Sequence, residues 1–469
     1  MDFATRPPPP FRPLPSAHKS IAWPALPGPE TALMAALLQQ LENSQWWSPE
    51  ALRRQQLRQA GALLAHASRH VPFWRGRLAD AGFVPGQPLS EEVWARVPVL
   101  TRAELQEAGD GLFSAQIPQG HGGTYDISSS GSTGRPIKAK GTRLVQLLWD
   151  VFTLREHLWQ GRDFNGKLAA IRSFPNAVVE YPKGVHSREW GRSTRNIFPG
   201  GSSAMLSIGT RIEDQAEWLA RQRADYLLTY PSNLRELLLH TQRTGARFAT
   251  LRQVRTLSEA LSPEVRRLCR DVWGLDVADL YSTQENGYLA FQCPEEGAYH
   301  VQSESVLLEI LGPDDEPCGP GEVGRVVVTS LHNFAMPFIR YAVGDLAEFG
   351  EPCPCGRGLP VLKQIMGRVR NMLVYPDGRR NRPPIGDIWE VEIPDIRQIQ
   401  IVQKSLECVE IRLATTRALT GEEEQKVRDW FHHRSHNQFD VTISYHDEIP
   451  RGPSGKFEDF RSEVAQASA

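Results

Sequence analysis

Between residues 213 and 281 the chain alternates amphipathic helices with short apolar strands, and no other feature restricts the fold as much. A helix over 213–223 precedes a strand over 226–230, and Pro231-Ser232 opens the next helix. A strand over 254–257, a helix begun at Ser262-Pro263 and a strand over 277–281 follow. Strands joined through helices run the same way, so this order predicts a parallel sheet covered by helices. Upstream, leucines and alanines at helical spacing over 30–110 predict a helical layer, with Trp46, Trp47, Phe73 and Trp74 as its anchors. Thr142 is placed to cap a further helix whose buried side carries Leu144, Leu147, Leu148, Val151, Phe152 and Leu154. From Ser305 the pattern turns to β-hairpins over 306–311, 325–330 and 338–341. A second unit is expected from Asn371, with strands over 399–404 and 409–413, a helix over 421–439 and a strand over 441–445. A chain of 469 residues has room for two or three such units. The expected fold class is α/β: a large N-terminal domain with helix-covered mixed or parallel sheets plus a β-hairpin region, and a small mobile α+β lid. The boundaries read as a Pro-rich lead-in over 1–20, a large domain over 21–370 and the lid over 371–469.

Residues 128–136 (Ser-Ser-Ser-Gly-Ser-Thr-Gly-Arg-Pro) hold no aliphatic side chain and so cannot stabilise a core. Ser129, Ser130, Ser132 and Thr133 bring hydroxyls, Gly131 and Gly134 free backbone N–H groups, and Arg135 a fixed cation. That combination suits an anion-binding concavity for phosphates. It is not a Walker A sequence, because G-x-x-x-x-G-K-[ST] is absent. The net charge of −2 argues against nucleic acid as the main partner. No apolar run approaches the roughly 20 residues that span a bilayer, and the Pro-rich start lacks an apolar signal core. The expectation is a cytoplasmic protein without a membrane partner. Six cysteines in a chain of this length are not a disulfide framework.

Further along come Tyr281-Ser282-Thr283-Gln284-Glu285 at the end of an expected parallel strand, where open α/β sheets bind ligands. Then follow Arg340-Tyr341-Ala342-Val343-Gly344-Asp345, Gly367-Arg368 and Arg451-Gly452-Pro453-Ser454-Gly455-Lys456. With the hydroxyl-rich loop, these motifs in this order resemble the acyl-adenylate-forming superfamily, and within it the phenylacetate–CoA ligase and CapK-like branch, over roughly residues 60–460. The resemblance implies ATP- and Mg²⁺-dependent activation of a carboxylic acid, aromatic or arylacetic, to an acyl-AMP. The acyl group then passes to an acceptor: CoA, a carrier-protein thiol or an amine. Ser129 through Arg135 would hold the departing phosphates, and Glu285 would bind Mg²⁺. Tyr281 would lie along the adenine, near Ser258 and Glu259, with Ser282, Thr283 and Gln284 beside the nucleotide. Asp345 would accept the ribose hydroxyls. Arg368 would reach ribose or phosphate, and Lys456 would bridge carboxylate and nucleotide when the lid closes about Asn371.

The sequence also departs from that pattern. Gln284 replaces a hydroxyl residue, Leu257 replaces glycine beside the adenine, and Asn371 replaces the hinge aspartate. Pro376-Asp377-Gly378-Arg379, a tight-turn sequence, stands where a Gly-x-Asn-x-x-Pro loop follows the hinge in phenylacetate–CoA ligases. Its absence favours an amide-forming synthetase as the rival reading, and a nucleotide-binding protein without catalysis is a second. Cys293 and His300 flank a Pro-Glu-Glu-Gly turn, and Cys353 and Cys355 share another. Three thiols and one imidazole make a Cys₃His set for a structural zinc ion, and the family branch often carries Cys and His at these places. Cys269, Cys318 and Cys408 read as inert, and association as a homodimer is left open.

Overall fold

Prolines and hydroxyl side chains decide where the helices begin. In a computed structural model of the protein, which describes residues 14–128, 137–174, 178–198, 200–368, 372–381, 383, 391, 393, 395–436, 438–452 and 455–464, the chain opens with helices α1 (Pro29–Ser44) and α2 (Pro49–His70). Helices α3 (Pro72–Asp80), α4 (Glu91–Arg96) and α5 (Arg102–Ala108) follow. Ser48 accepts from the Ala51 N–H at the start of α2, with Pro49 in the first turn where its missing N–H costs no hydrogen bond. Thr101 and Glu104 form a reciprocal capping box on α5. Strands β1 (Thr124–Ser128) and β2 (Lys138–Thr142) pair antiparallel on either side of the hydroxyl-rich loop. Thr142 then caps α6 (Arg143–Trp159).

The alternating region folds as its pattern predicts. Strands β3 (Leu168–Arg172), β4 (Val185–Ser187), β5 (Ser203–Ser207), β6 (Tyr226–Thr229), β7 (Gln253–Thr256) and β8 (Val277–Thr283) are interleaved with helices α7 (Arg192–Arg195), α8 (Ile212–Gln222), α9 (Pro231–Thr244) and α10 (Pro263–Trp273). Strands β5, β3, β6, β7 and β8 pair in parallel. Behind them come β9 (Gly287–Gln292), β10 (Tyr299–Val301), β11 (Val306–Leu311), β12 (Val323–Ser330), β13 (Tyr341–Phe349) and β14 (Val361–Arg368), all antiparallel. The two halves form one sheet in the order β11-β12-β13-β14-β10-β9-β8-β7-β6-β3-β5-β4. Strand β8 joins them: Val254, Arg255 and Thr256 of β7 pair in parallel with Val277, Ala278 and Asp279, whereas Leu280 through Thr283 pair antiparallel with β9. The sheet therefore changes direction at Leu280, one residue before Tyr281, at the end of the parallel strands where open sheets bind ligands.

Separate apolar cores support the halves. Leu63, Leu64 and Trp74 of the N-terminal helices are sealed against Val306, Val326 and Phe338 of the antiparallel half. Trp218, Leu234 and Leu237 cover the parallel half over Leu206, Leu227 and Val254. The last strands are β15 (Leu373–Val374), β16 (Arg380–Asn381), β17 (Ile396–Gln403), β18 (Cys408–Thr415), β19 (Asp440–Tyr445) and β20 (Phe460–Ser462), with helix α11 (Gly421–Arg434) between β18 and β19. The four-stranded sheet β19-β18-β17-β20 packs Ile401, Ile411 and Leu413 against Val427 and Phe431 of α11.

Three expectations need correction. Residues 338–341 do not form a strand: Phe338 and Ile339 are apolar because they are sealed in the core. Arg340 has φ +44°, which breaks the extended path, and β13 starts only at Tyr341. Helix α11 ends at Arg434 rather than near Phe439; His436 turns left-handed at φ +57°, and Phe439 returns to the same core. Trp46 and Trp47 are not buried anchors but 41% and 43% exposed, and the Arg357 guanidinium lies 5.0 Å from the Trp46 ring centroid.

Candidate active site

The strand β8 that joins the two half-sheets also supplies the first site residue. The Tyr281 hydroxyl donates to Asp345 Oδ2 at 2.6 Å. Burial, reinforced by the Asp345 carboxylate, holds this phenol well above its ordinary range, so it stays a donor. Asp345 lies opposite Arg368 on the β13–β14 ladder, and Arg368 Nε meets Asp345 Oδ1 at 3.1 Å. Against its own burial, Arg368 is held firmly protonated by Asp345 and Glu285. Thr283 and Gly287 pair where β8 turns into β9, which leaves Gln284 exposed and Glu285 half-buried at the hairpin tip. Thr283 Oγ1 closes this tip by accepting from the Asn286 N–H at 3.0 Å. Ser282 is half-buried in the last part of β8.

Lys456 reaches the same place from the lid. Burial, then the like charge of Arg368, lowers its pKa, while Glu259, Asp345 and Glu285 act the other way. An ammonium group from the last part of the chain is thus within electrostatic reach of one arginine and three carboxylates of the large domain. Ser258 has φ +72° after β7, and the next residue, Glu259, is turned toward the lid. Its carboxylate accepts from the Phe457 N–H at 2.8 Å and the Ser232 N–H at 3.0 Å. Both oxygens are engaged, which the sequence reading of Glu259 as a residue beside the adenine did not foresee. Ser129, Ser130, Gly131, Ser132, Thr133, Gly134 and Arg135 lie outside the described residues, as do Pro136, Asn371, Pro453 and Ser454.

Next to Glu285 opens a small cavity of about 30 Å³. One wall is aromatic: Trp149, Phe152 and Tyr288 line it, with the Trp149 and Tyr288 centroids 4.6 Å apart. The lining also includes Asn286, Ser305 and His332. Burial pulls the His332 pKa down to about 4, so this imidazole is neutral. The sequence reading missed this wall because its members are separated by well over a hundred residues and share no motif.

A second cluster lies at the β9–β10–β14 junction. Cys293, His300, Cys353 and Cys355 place their donor atoms within 4.8 Å of one another. Cys353 and Cys293 Sγ are 3.9 Å apart, and Cys355 Sγ is 3.3 Å from His300 Nε2. Tetrahedral zinc with thiolate bonds of about 2.3 Å requires sulfur atoms about 3.8 Å apart, so the donor set fits that ion. His300 Nδ1 lies 3.5 Å from the Leu359 carbonyl, which leaves Nε2 free to ligate. Burial alone would raise the Cys355 thiol, but hydrogen bonds and charge from Arg357 outweigh it and hold it below the ordinary range. Cys269 is buried with its thiol pushed up to about 12, Cys318 is half-buried and Cys408 exposed.

Residues 387–462 match the family described as CapK C-terminal domain. The chain is 25% identical over 342 residues to phenylacetate-coenzyme A ligase of Thermus thermophilus, covering 69% of this chain and 72% of that one. It is 26% identical over 348 residues to the enzyme of the same name from Pseudomonas putida, covering 72% and 75%. Its fold matches that of 2-hydroxyisobutyryl-CoA ligase in the postadenylation state in complex with 2-HIB-AMP. The TM-score is 0.71 at 19% identity, over 90% of this chain and 92% of that one. The chain resembles the acyl-adenylate-forming ligases in sequence and shares their fold.

Proposed function

We propose that the protein is an adenylate-forming ligase that uses ATP to convert a carboxylic acid into an acyl-AMP and passes the acyl group to a thiol such as CoA. One observation carries this reading: Lys456 of the lid lies close enough to Arg368, Asp345 and Glu285 of the large domain for their charges to act on it. In the first step a carboxylate oxygen attacks the α-phosphorus of ATP, the bond to the β-phosphate oxygen breaks, and pyrophosphate leaves. Two anions must approach, so fixed positive charge already in place lowers the barrier more than charge that has to be reorganised. Lys456 and Arg368 supply it. Asp345, held in register by Tyr281 and Arg368, has the placement to accept hydrogen bonds from the ribose. The hydroxyl-rich loop of residues 128–136 is assigned to the departing phosphates.

Glu285 would hold Mg²⁺, whose chemistry there is to neutralise phosphate charge. Cys293, His300, Cys353 and Cys355 would hold a zinc ion whose part is structural, because four protein donors leave no open position. The aromatic wall of Trp149, Phe152 and Tyr288 supports an aromatic or arylacetic acid. The deciding experiment is carboxylate-dependent ATP–pyrophosphate exchange over a panel of aryl and alkyl acids. Exchange with aryl acids is expected. ATP binding without exchange on any acid would replace this reading with a non-catalytic nucleotide-binding protein.

A second reading concerns the acceptor. Tyr375 and Gly378 close a tight turn (Gly378 N–H to Tyr375 O, 2.9 Å) between β15 and β16, where the family resemblance implies a Gly-x-Asn-x-x-Pro loop. This favours an amine acceptor, and product analysis with CoA and amines offered together separates the two.

A further inference from the structure

Three lid residues are fastened to the large domain, Arg451 and Gln398 at the first turns of α9 and Phe457 at Glu259 beside them. Arg451 Nη1 donates to Ser232 Oγ at 2.8 Å, and Arg451 Nη2 to Glu236 Oε1 at 3.0 Å. Gln398 of β17 donates to both Glu236 oxygens at 3.4 Å, and its own Oε1 accepts from the Ile449 N–H at 2.8 Å. Glu259 bridges the two sides by accepting from Ser232 and Phe457, with Arg451 at 3.9 Å. The side chains of Arg451 and Glu236 are 14% and 19% exposed, so the pair is largely dry yet remains at the margin of water.

The loop between these points is short and internally closed. Gly452 N–H donates to the Lys456 carbonyl at 2.9 Å, and Gly455 N–H to the Gly452 carbonyl at 2.8 Å. Gly455 has φ +78°, and a Cβ there would come within 2.9 Å of both Ser173 and Ile208 of the large domain. The loop is therefore pinned at Arg451, wedged at Gly455 and pinned again at Phe457. Lys456 lies between the last two fixed points, so its position follows from theirs.

We propose that Arg451 is a positioning residue for adenylation: its docking on Ser232 and Glu236, relayed through Glu259 to Phe457, sets Lys456 in the site. The inference rests on the adenylation reading above. An arginine suits the task because its planar fork presents donors in fixed directions to two acceptors, which the rotating ammonium of a lysine does not. Separation of the lid would return Glu236, Glu259 and Arg451 to water together. The contact can thus be remade each time the lid closes.

The test uses the full chain with Arg451→Ala, Glu236→Gln and the double variant. Two quantities are measured: ATP–pyrophosphate exchange, and amide hydrogen exchange of the peptide containing Phe457. Each single change should lower pyrophosphate exchange about a hundredfold, as expected when one partner of a largely buried charge pair is removed. Each should also lose protection at Phe457, whereas Lys456→Ala should keep that protection and lose only the catalytic rate. The double variant should be no slower than the worse single within about threefold, because the two residues act as one contact. Losses that multiply in the double variant, or unchanged protection at Phe457 in Arg451→Ala, overturn the proposal. If the wild-type chain exchanges pyrophosphate with no acid, the adenylation reading fails, and the protection pattern still decides whether Arg451 docks the lid.

Discussion

The two clusters of reactive side chains in this molecule are built on opposite principles. Cys293, His300, Cys353 and Cys355 come from adjoining strands and loops of one sheet, with backbone hydrogen bonds on either side. Arg368, Asp345, Glu285 and Lys456 come from two packed units, and the contacts that unite them are mostly charged and near water. The first can hold an ion that never needs to leave. The second joins two units that each have a core of their own. Substitutions should divide accordingly: changes in the lid cluster alter rates and spare stability, and changes in the cysteine cluster do the reverse.

The strongest test is Lys456→Ala. Pyrophosphate exchange should fall about a thousandfold, while the thermal midpoint stays at or slightly above that of the wild type. Burial and Arg368 disfavour this ammonium more than Glu259, Asp345 and Glu285 favour it, so loss of the charge should cost the fold little. A large drop in midpoint would show that the lysine is a structural residue.

Next in size is Cys353→Ser. Metal analysis should find about one zinc per wild-type chain and none in the variant, with the midpoint lowered on the order of 5–10 °C. Protein purified without chelator and found free of zinc would remove the metal from this half of the comparison.

The cavity wall supplies a smaller, pH-dependent effect. His332 is held down to about 4 by burial, below the roughly 6.5 of an unfolded histidine. A depressed folded value means its contribution is complete above the unfolded pKa and is lost as pH falls toward the folded one. Stability should therefore drop by about 2 kcal/mol from this residue between pH 7 and pH 5. Urea midpoints at both pH values should show a shallower drop in His332→Asn; an identical drop would mean the imidazole is not buried neutral. The smallest effect is expected for Tyr281→Phe. Asp345 keeps Arg368, so loss of one hydrogen bond should raise the KM for ATP about fivefold with kcat little changed.

Much of the fold was legible because local rules and tertiary packing agree. Ser262-Pro263 and Pro231-Ser232 open helices where capping predicts, and the helix–strand alternation yields the parallel half-sheet. Errors arose where a buried apolar run followed an irregular path. Phe338 and Ile339 have the composition of a strand, but Arg340 lies in the left-handed region. Phe439 continues the apolar spacing of α11 only because the chain doubles back after His436. Among site residues, Tyr281, Asp345, Arg368 and Lys456 are brought together from separate motifs, as their order implied. Glu236, Gln398 and His332 were not legible. Each is an ordinary polar residue on a helix, strand or loop, and nothing in its neighbours distinguishes it.

The sequence by itself determined the periodic and the chemical: which segments are helix or strand, and which residues bear charge, thiol or imidazole. These follow from spacing and side-chain type, which act over a few residues. Only the tertiary structure decided which distant groups neutralise one another. Glu259 is bound to the lid, Arg451 to α9, and β8 changes pairing direction at Leu280. Such pairings depend on how two packed surfaces meet, and a meeting of surfaces leaves no period in either chain segment.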